Sequence, residues 1–208
     1  MERSDNYLIQ AQQAKQHFLR YDQQRLIEKL RLKSDDDYLY TRLLSKPYRI
    51  HRATGEIQRL EHDSWVEANT HSEVMTLLDL VCDSRENRYL SCRWKQMSSF
   101  GLMFHQNLLE DKRDPVAERF QRDPEALRRA CLKLQGKPMQ GGDVSYAMEL
   151  FDGLPVWLQF WEGDEEFPPR LRWLWDENAL MYLKYETMYF AVNLLLKRIS
   201  EEMESSAG

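Results

Sequence analysis

The stretch Val144-Ser-Tyr-Ala-Met-Glu-Leu-Phe-Asp-Gly-Leu-Pro-Val-Trp-Leu-Gln-Phe-Trp161 decides the fold of this chain. Two apolar runs flank Asp152-Gly153, a dipeptide that favours a type I′ turn because both residues tolerate a positive φ. The sequence therefore predicts a β-hairpin whose pairing starts with Phe151 opposite Leu154. The predicted pairs further along are Met148 with Trp157, Tyr146 with Gln159, Val144 with Trp161, Ala147 with Leu158, and Ser145 with Phe160.

Both faces of this predicted hairpin are apolar. Side chains alternate across a strand, so one face carries Val144, Tyr146, Met148, Trp157 and Trp161. The other face carries Ala147, Phe151, Val156, Leu158 and Phe160. A half-exposed antiparallel sheet normally has one polar face. We therefore expect either that the protein covers both faces or that one face receives a partner or a ligand.

An acidic turn, a third strand and a long helix follow the hairpin. The turn spans Glu162–Pro169, the strand spans Arg170–Trp175, and Asp176 is the predicted N-cap of the helix. An apolar stripe at helical spacing runs along this helix. Its members are Leu180, Leu183, Thr187, Phe190, Ala191, Leu194, Leu195 and Ile199. A helix of this kind laid on a three-stranded sheet makes a plausible core.

The first 140 residues alternate between helical and extended patterns. Residues 5–33 have helical spacing with a break near Tyr21, and a hairpin joins Tyr48–His51 to Glu56–Leu60. The other predicted elements are a strand at 38–43, a helix opened by a Thr70–Glu73 capping box, a strand over Asn87–Met97, and two helices begun by Asp114-Pro115 and Asp123-Pro124.

The predicted fold class is α+β. We expect an antiparallel sheet from both halves, with a C-terminal Trp-rich hairpin, flanked by N-terminal, middle and long C-terminal helices. Residues 1–208 form a single α+β domain in this prediction. Its helix/hairpin/helix part covers 1–140, and the aromatic three-strand part with the closing helix covers 141–200.

Charge and composition narrow the class of protein. The net charge is −5 and the pI is about 5.6, a balance that argues against nucleic-acid binding, which needs a basic surface. No run of about 18 apolar residues is present, so no membrane-spanning helix is expected. The N-terminus lacks the apolar core of a signal peptide. Cys82, Cys92 and Cys131 are odd in number and widely spaced, which favours free thiols and a cytoplasmic location.

Four short motifs mark the second half: Gly142-Asp143, Leu154-Pro155-Val156, Gly163-Asp-Glu-Glu-Phe-Pro168 and Leu174-Trp175-Asp176. Together they resemble an uncharacterised prokaryotic family, domain of unknown function 3786. The Tyr48–Leu60 hairpin and the Thr70 helix lie where that family has them, and Trp175 stands where we expect a phenylalanine. The resemblance implies a bacterial or archaeal, cytoplasmic protein with no established reaction. Some members are linked to iron–sulfur-type cysteine segments, but this chain has none, so no cluster is carried over.

Carboxylates near the hairpin are the first candidates for chemistry. Asp164, Glu165 and Glu166 together offer the oxygen ligands that Ca²⁺ and Mg²⁺ prefer, although consecutive carboxylates in a turn point different ways and favour a solvated turn. Asp143 is a general base if its surroundings raise its pKa, but an Asp before a strand more often caps a turn through backbone N–H groups. We therefore assign no catalytic residue and no metal ligand.

Cysteine and histidine give weaker signals. Cys92 and His105 form a conceivable nucleophile pair, yet no local signature surrounds either, and we expect all three cysteines to be core residues. No zinc-ligand spacing is present among the five histidines and three cysteines.

Three function classes remain open. The first is an accessory or binding protein that acts through the aromatic hairpin surface and the acidic turn. The second is a binder of a planar cofactor of tetrapyrrole or corrinoid type, and the third is a metal-assisted enzyme using Asp143 and the acidic turn. The candidate partner- or ligand-binding residues are Tyr146, Met148, Trp157, Trp161, Asp143, Asp164, Glu165 and Glu166.

Overall fold

The computed structural model of the chain describes residues 2–100 and 114–205, with side chains from residue 6 onward. These residues form two compact units. The N-terminal unit comprises Met1–Tyr89 with Leu180–Leu194, and the C-terminal unit comprises Leu90–Ala179 with Leu195–Gly208. Whether the units fold as the single domain expected from the sequence stays a prediction.

The described residues contain six α-helices and ten strands, and the fold class is α+β. The helices are α1 (Glu2–Phe18), α2 (Gln23–Leu30), α3 (His71–Asp83), α4 (Pro115–Phe120), α5 (Pro124–Lys133) and α6 (Tyr185–Glu204). The strands are β1 (Lys33–Ser34), β2 (Tyr38–Leu43), β3 (Lys46–His51), β4 (Ile57–Glu61), β5 (Ser64–Glu67), β6 (Trp94–Gln96), β7 (Lys137–Pro138), β8 (Val144–Phe151), β9 (Leu154–Trp161) and β10 (Arg170–Asp176). No described helix is both long and apolar enough to cross a membrane.

The strands of the two halves form separate sheets, where the sequence suggested one. In the N-terminal unit β1 to β5 form an antiparallel meander in sequence order. In the C-terminal unit the order is β6-β10-β9-β8-β7, also antiparallel. Each sheet therefore needs its own covering helices, because each has its own apolar face.

The sheet of the N-terminal unit packs one face into a core with α3. Alternation in β3 buries Tyr48 and Ile50, and α3 buries Val74, Leu77 and Val81. The predicted hairpin is confirmed, since Tyr48 pairs with Arg59 across β3 and β4. The predicted break near Tyr21 is also confirmed, because α1 ends at Phe18 and Asp22 caps α2 by accepting from the backbone N–H of Arg25.

The capping box predicted at the start of α3 is wrong: Thr70 is the N-cap, but the predicted side-chain-to-backbone hydrogen bonds do not form. The Thr70 side chain makes no capping bond to the backbone. Instead Glu73 turns inward and accepts from Tyr48 Oη at 2.5 Å and from Arg59 Nη1 at 2.9 and 3.0 Å. A buried carboxylate gains more from a cation and a phenol than from an exposed helix end.

The hairpin turn is confirmed, but the register beyond it is wrong by one residue. Phe151 pairs with Leu154, and both Asp152 and Gly153 have positive φ. A bulge between Glu149 and Phe151 inserts an extra residue on β8. The observed pairs are Met148 with Val156, Ala147 with Trp157, Tyr146 with Leu158, Ser145 with Gln159, and Val144 with Phe160.

The bulge places the tryptophans of β9 on the face opposite Val144, Tyr146 and Met148. Tyr146 and Met148 now share the core face with Val156, Leu158 and Phe160, which are all fully buried. Phe120 of α4 packs edge-on against Phe160 at 6.1 Å on this face. The opposite face carries Trp157 and Trp161 with polar neighbours, so the expectation of two apolar faces is wrong.

Two predictions around Asp176 are also wrong. The strand expected over Asn87–Met97 contracts to Trp94–Gln96, and the last helix begins at Tyr185 instead of just after Asp176. The cause is Asp176 itself, whose carboxylate accepts from the backbone N–H groups of Ser91, Cys92 and Asn178. The N–H groups of Ser91 and Cys92 are therefore lost to a sheet ladder. The bond from Asn178 holds a turn that leads into a short 3-10 helix, Ala179–Met181, ahead of α6.

The two Asp-Pro helix starts are confirmed. Asp114 accepts from the N–H groups of Val116 and Ala117 at the start of α4, and Asp123 accepts from Ala126 at the start of α5. Proline follows each aspartate at the first helical position, where its missing N–H costs nothing.

Candidate functional site

The exposed side of the C-terminal sheet carries a group of aromatic and basic side chains that we call the tryptophan–arginine face: Trp94, Trp157, Trp161, Arg170 and Arg172. Strand alternation and the observed register place all five on one side of β6, β9 and β10. The three indoles are partly exposed, and Arg170 is exposed. Side chains of this size left in contact with solvent on a regular sheet often mark an interaction surface.

Trp157 has a fixed orientation on this face. Its Nε1–H donates to Ser145 Oγ at 2.8 Å across the β8–β9 pair. Trp94 meets it edge-on, with ring centroids 5.0 Å apart and planes 75° apart. The two indoles therefore form a preorganised corner in which one ring presents its edge and the other its face.

Trp161 lies beside two arginines. The Arg172 guanidinium lies 5.0 Å from the centroid of the Trp161 ring, in cation–π geometry. Arg170 is the direct cross-strand partner of Trp161. Burial and the charge of Arg170 lower the pKa of Arg172, and among the described residues neither arginine has a carboxylate partner. Two guanidinium groups therefore lie at this end of the face, next to the acidic turn that joins β9 to β10.

Gln159 lies between the two tryptophans of β9 on the same face. Its side chain is nearly buried, at 6% exposure. The Nε2 atom donates weakly to the carbonyl of Gln140 at 3.4 Å, while Oε1 has no hydrogen-bond partner among the described residues. A buried amide oxygen without a partner is costly, and this oxygen is itself inaccessible to solvent.

Backbone hydrogen bonds give the acidic turn a defined conformation. Asp164 Oδ1 accepts from the N–H groups of Glu166 and Phe167 at 2.8 and 2.7 Å, and these bonds hold the pKa of Asp164 below its usual value. A Cβ at Gly163 would lie 2.6 Å from the nitrogen of Pro169, so only glycine fits. Glu165 and Glu166 are exposed, and no group of three metal-ligating side chains occurs in the described part of the chain.

Asp143 has a structural position at the open end of the hairpin. Its Oδ2 accepts from the N–H of Glu162 at 2.8 Å, and its own N–H donates to the carbonyl of Phe160. The carboxylate thus fixes the chain where β9 leaves the sheet, which is the turn-capping role weighed for it above. The geometry gives no support to a metal-assisted reaction that uses Asp143 and Asp164.

Of the eight candidate residues, Trp157 and Trp161 lie together on the tryptophan–arginine face. Tyr146 and Met148 lie on the opposite, buried face, at 6% and 0% exposure. Cys92 is exposed rather than core, whereas Cys82 and Cys131 are buried and their thiol pKa values are raised by burial to about 12. His105 lies outside the described residues.

A second candidate site, which sequence patterns did not indicate, lies in the N-terminal unit. A groove of about 590 Å³ runs between α1 and α3, a size typical of small-molecule sites. At one end Lys184 Nζ lies 2.6 Å from Asp83 Oδ2 and 3.3 Å from Asp79 Oδ1. Tyr21 Oη donates to Asp83 Oδ1 at 2.6 Å, and Thr187 donates to Asp79 Oδ2.

The two aspartates of this cluster have pKa values shifted in opposite directions. Burial raises the pKa of Asp79, and its bonds with Thr187 and Lys184 only partly offset this. Burial also acts on Asp83, but hydrogen bonds from Lys184 and Tyr21 outweigh it and lower the pKa. The i,i+4 spacing of Asp79 and Asp83 was the one local signal available, since Tyr21 and Lys184 are far away in sequence.

Comparisons with known proteins identify the family and nothing finer. Neither a curated protein nor a solved structure matches this chain. A family model described as a domain of unknown function (DUF3786) matches residues 22–198, which include both sheets, α2 to α5 and the greater part of α6. The chain belongs to this family, the domain of unknown function DUF3786.

Proposed function

We propose that this protein binds a planar, negatively charged small molecule on the tryptophan–arginine face. The observation that carries the proposal is the position of Arg170 and Arg172 beside partly exposed Trp161, without a carboxylate partner among the described residues. Indole faces stack on planar molecules, and guanidinium groups bind carboxylate or phosphate in bidentate fashion. Both interactions are available within one side of one sheet.

The chemistry favours a tetrapyrrole- or corrinoid-type ligand. Such macrocycles combine a broad flat body with acidic or amide side groups at the rim. The body would lie on Trp157 and Trp161, with the acidic groups toward Arg170 and Arg172.

Protoporphyrin IX, a planar dicarboxylate, is a direct probe. We expect it to quench tryptophan fluorescence on binding to the full chain. Arg172→Gln and Trp161→Leu should each weaken binding about tenfold, because each variant removes one strong contact. Arg122→Gln removes an exposed arginine from the same unit and should leave the affinity unchanged.

Two results would count against this proposal. The first is equal affinity of the parent, Arg172→Gln and Trp161→Leu proteins for the porphyrin, which would place binding elsewhere. The second is equal affinity for the porphyrin and its uncharged dimethyl ester, which would remove the role of the arginines. Visible absorbance and added mass of the protein as purified would identify a resident ligand.

A protein partner is the second candidate, and Phe167 is the observation that favours it. Phe167 is 67% exposed at the tip of the acidic turn, and Asp164 holds that turn in a defined shape. Because Glu165 and Glu166 precede it in the turn, the Phe167 ring suits an apolar pocket with a basic rim on a partner. A complex rebuilt from purified proteins should be lost with Phe167→Ala and kept with Trp161→Leu; the opposite pattern would favour the small-molecule site.

A further inference from the structure

The groove between α1 and α3 in the N-terminal unit has one polar end and one apolar end. Gln10 Oε1 lies 2.8 Å from Nε2 of His71, the first residue of α3. Just beyond the end of α1, Tyr21 Oη donates a hydrogen bond to Asp83, the last residue of α3. The two helices therefore run in the same direction. Their C-terminal ends, each with partial negative charge, lie at the same end of the groove as Asp79 and Asp83.

The carboxylate end has unused hydrogen-bonding capacity. Each of the four oxygens of Asp79 and Asp83 has one of the contacts described above, and a carboxylate oxygen accepts two hydrogen bonds. Asp79 and Asp83 both contact Lys184, which is 57% exposed, and Arg20 is the other basic residue in the groove lining with a permanent charge. Burial raises the pKa of Asp79 despite its partners, so an added ammonium group would relieve an incompletely compensated carboxylate.

The rest of the groove suits a peptide chain. Its floor and apolar end include Ile9, Ala14, Met75 and Leu78, and its wall carries the exposed carboxamides of Gln13 and Gln16. A carboxamide offers both a donor and an acceptor, like a peptide group. From Ile9 to His17 the helix rises about 12 Å, which an extended peptide spans with about four residues.

We propose that this groove binds a short extended peptide with apolar side chains, whose free amino terminus lies at the end of the groove that carries Asp79 and Asp83. The Gln13 and Gln16 carboxamides bond the peptide backbone, and the apolar side chains cover Met75 and Leu78. Arg20 at the rim donates to the first peptide carbonyl. This site is separate from the tryptophan–arginine face and does not depend on the function proposed for that face.

Calorimetry with a matched pair of tetrapeptides tests the ammonium group. The probes are Ala-Leu-Leu-Ala-amide with a free amino terminus and the same peptide acetylated. On the full chain we expect the free peptide to bind at least about tenfold more tightly than the acetylated one, because acetylation removes one charge-assisted contact. Spermidine, which carries ammonium groups without peptide bonds or branched side chains, should bind more weakly than the free peptide.

Variants separate the floor from the charged end. Ala14→Phe fills the groove without contacting the charged cluster and should abolish binding. Leu8→Phe changes an exposed residue of the same helix outside the groove and should leave it intact. Asp79→Asn should erase the difference between the free and acetylated peptides, and if that variant unfolds, the Ala14→Phe and Leu8→Phe pair still decides.

Three outcomes would overturn the proposal. Neither peptide binding at about 1 mM would exclude a useful site. Equal binding of the free and acetylated peptides would exclude amino-terminal recognition. Tighter binding of spermidine would make the groove a simple cation site.

Discussion

Glu73 should be one of the largest single contributors to the stability of the N-terminal unit. Its side chain is fully buried, and its carboxylate accepts from Tyr48 Oη at 2.5 Å and from Arg59 Nη1 at 2.9 Å. Glu73→Gln keeps the shape of the side chain and one carbonyl oxygen but removes the charge. It tests whether that charge holds α3 to the sheet.

The expected loss follows from the burial of the partners. Removing one member of a buried ion pair costs about 3–5 kcal/mol, because the other charge stays buried and uncompensated. Arg59 has a side-chain exposure of 14% and a second carboxylate partner, Glu61, at 2.6 Å, so we place Glu73→Gln at the lower end, about 3 kcal/mol. Glu61→Gln, at a side chain that is 30% exposed, should cost only about 1 kcal/mol.

Urea unfolding followed by circular dichroism measures both losses. The midpoint should fall for Glu73→Gln with no change in slope, which identifies a change in stability rather than in the denatured state. The double variant with Arg59→Gln should cost less than the sum of the two single variants, because the two residues share one interaction. A loss below about 1 kcal/mol for Glu73→Gln would refute the buried-pair reasoning.

Three further predictions concern other parts of the chain. Gly163→Ala should lower stability by about 1–3 kcal/mol in thermal unfolding, since its Cβ would meet backbone at 2.6 Å. Iodoacetamide at pH 8 should label native protein at exposed Cys92 alone, because Cys82 and Cys131 are buried with raised pKa values; mass spectrometry should find one adduct, and three after unfolding. The folded-state pKa of Asp83 is lowered, so its stabilisation is present above the ordinary value of about 4 and lost as the pH falls through the lowered value; Asp83→Asn should cost stability at pH 7, and urea unfolding should show that cost shrinking as the pH falls below about 4.

Local chemistry made the turns and helix starts predictable. Asp152-Gly153, Asp114-Pro115 and Asp123-Pro124 each fix a backbone conformation within two residues, and the structure confirms all three. The bulge at Leu150 had no comparable signal. Leu150 and Phe151 are consecutive apolar residues, and both are buried. The extra residue shifted every pair between Val144 and Glu149 by one position on β9, which exchanges the faces of the sheet.

Contacts between distant residues were beyond the sequence patterns. Asp176 bonds the backbone of Ser91 and Cys92, 85 and 84 residues away, so a cap-like aspartate before a helical pattern was given the wrong role. Lys184 reaches Asp79 across 105 residues. Periodicity reports which face of an element is apolar, but it carries no information on which charged side chains two elements bring together.

Two of the carboxylates that looked functional in the sequence are engaged by the backbone, and this sharpens the search for function. Asp143 and Asp164 each accept at least one backbone N–H, which explains their positions beside strands and turns without any ligand. Hydrogen-bonding capacity that the fold does not use is the better guide, because a native structure rarely leaves it unused at a buried or clustered position. By that criterion Arg170 and Arg172 stand out, because neither has a carboxylate partner among the described residues. Both lie on the side of the sheet that carries the partly exposed Trp94, Trp157 and Trp161, and that coincidence favours this face as a binding surface over the acidic residues around it.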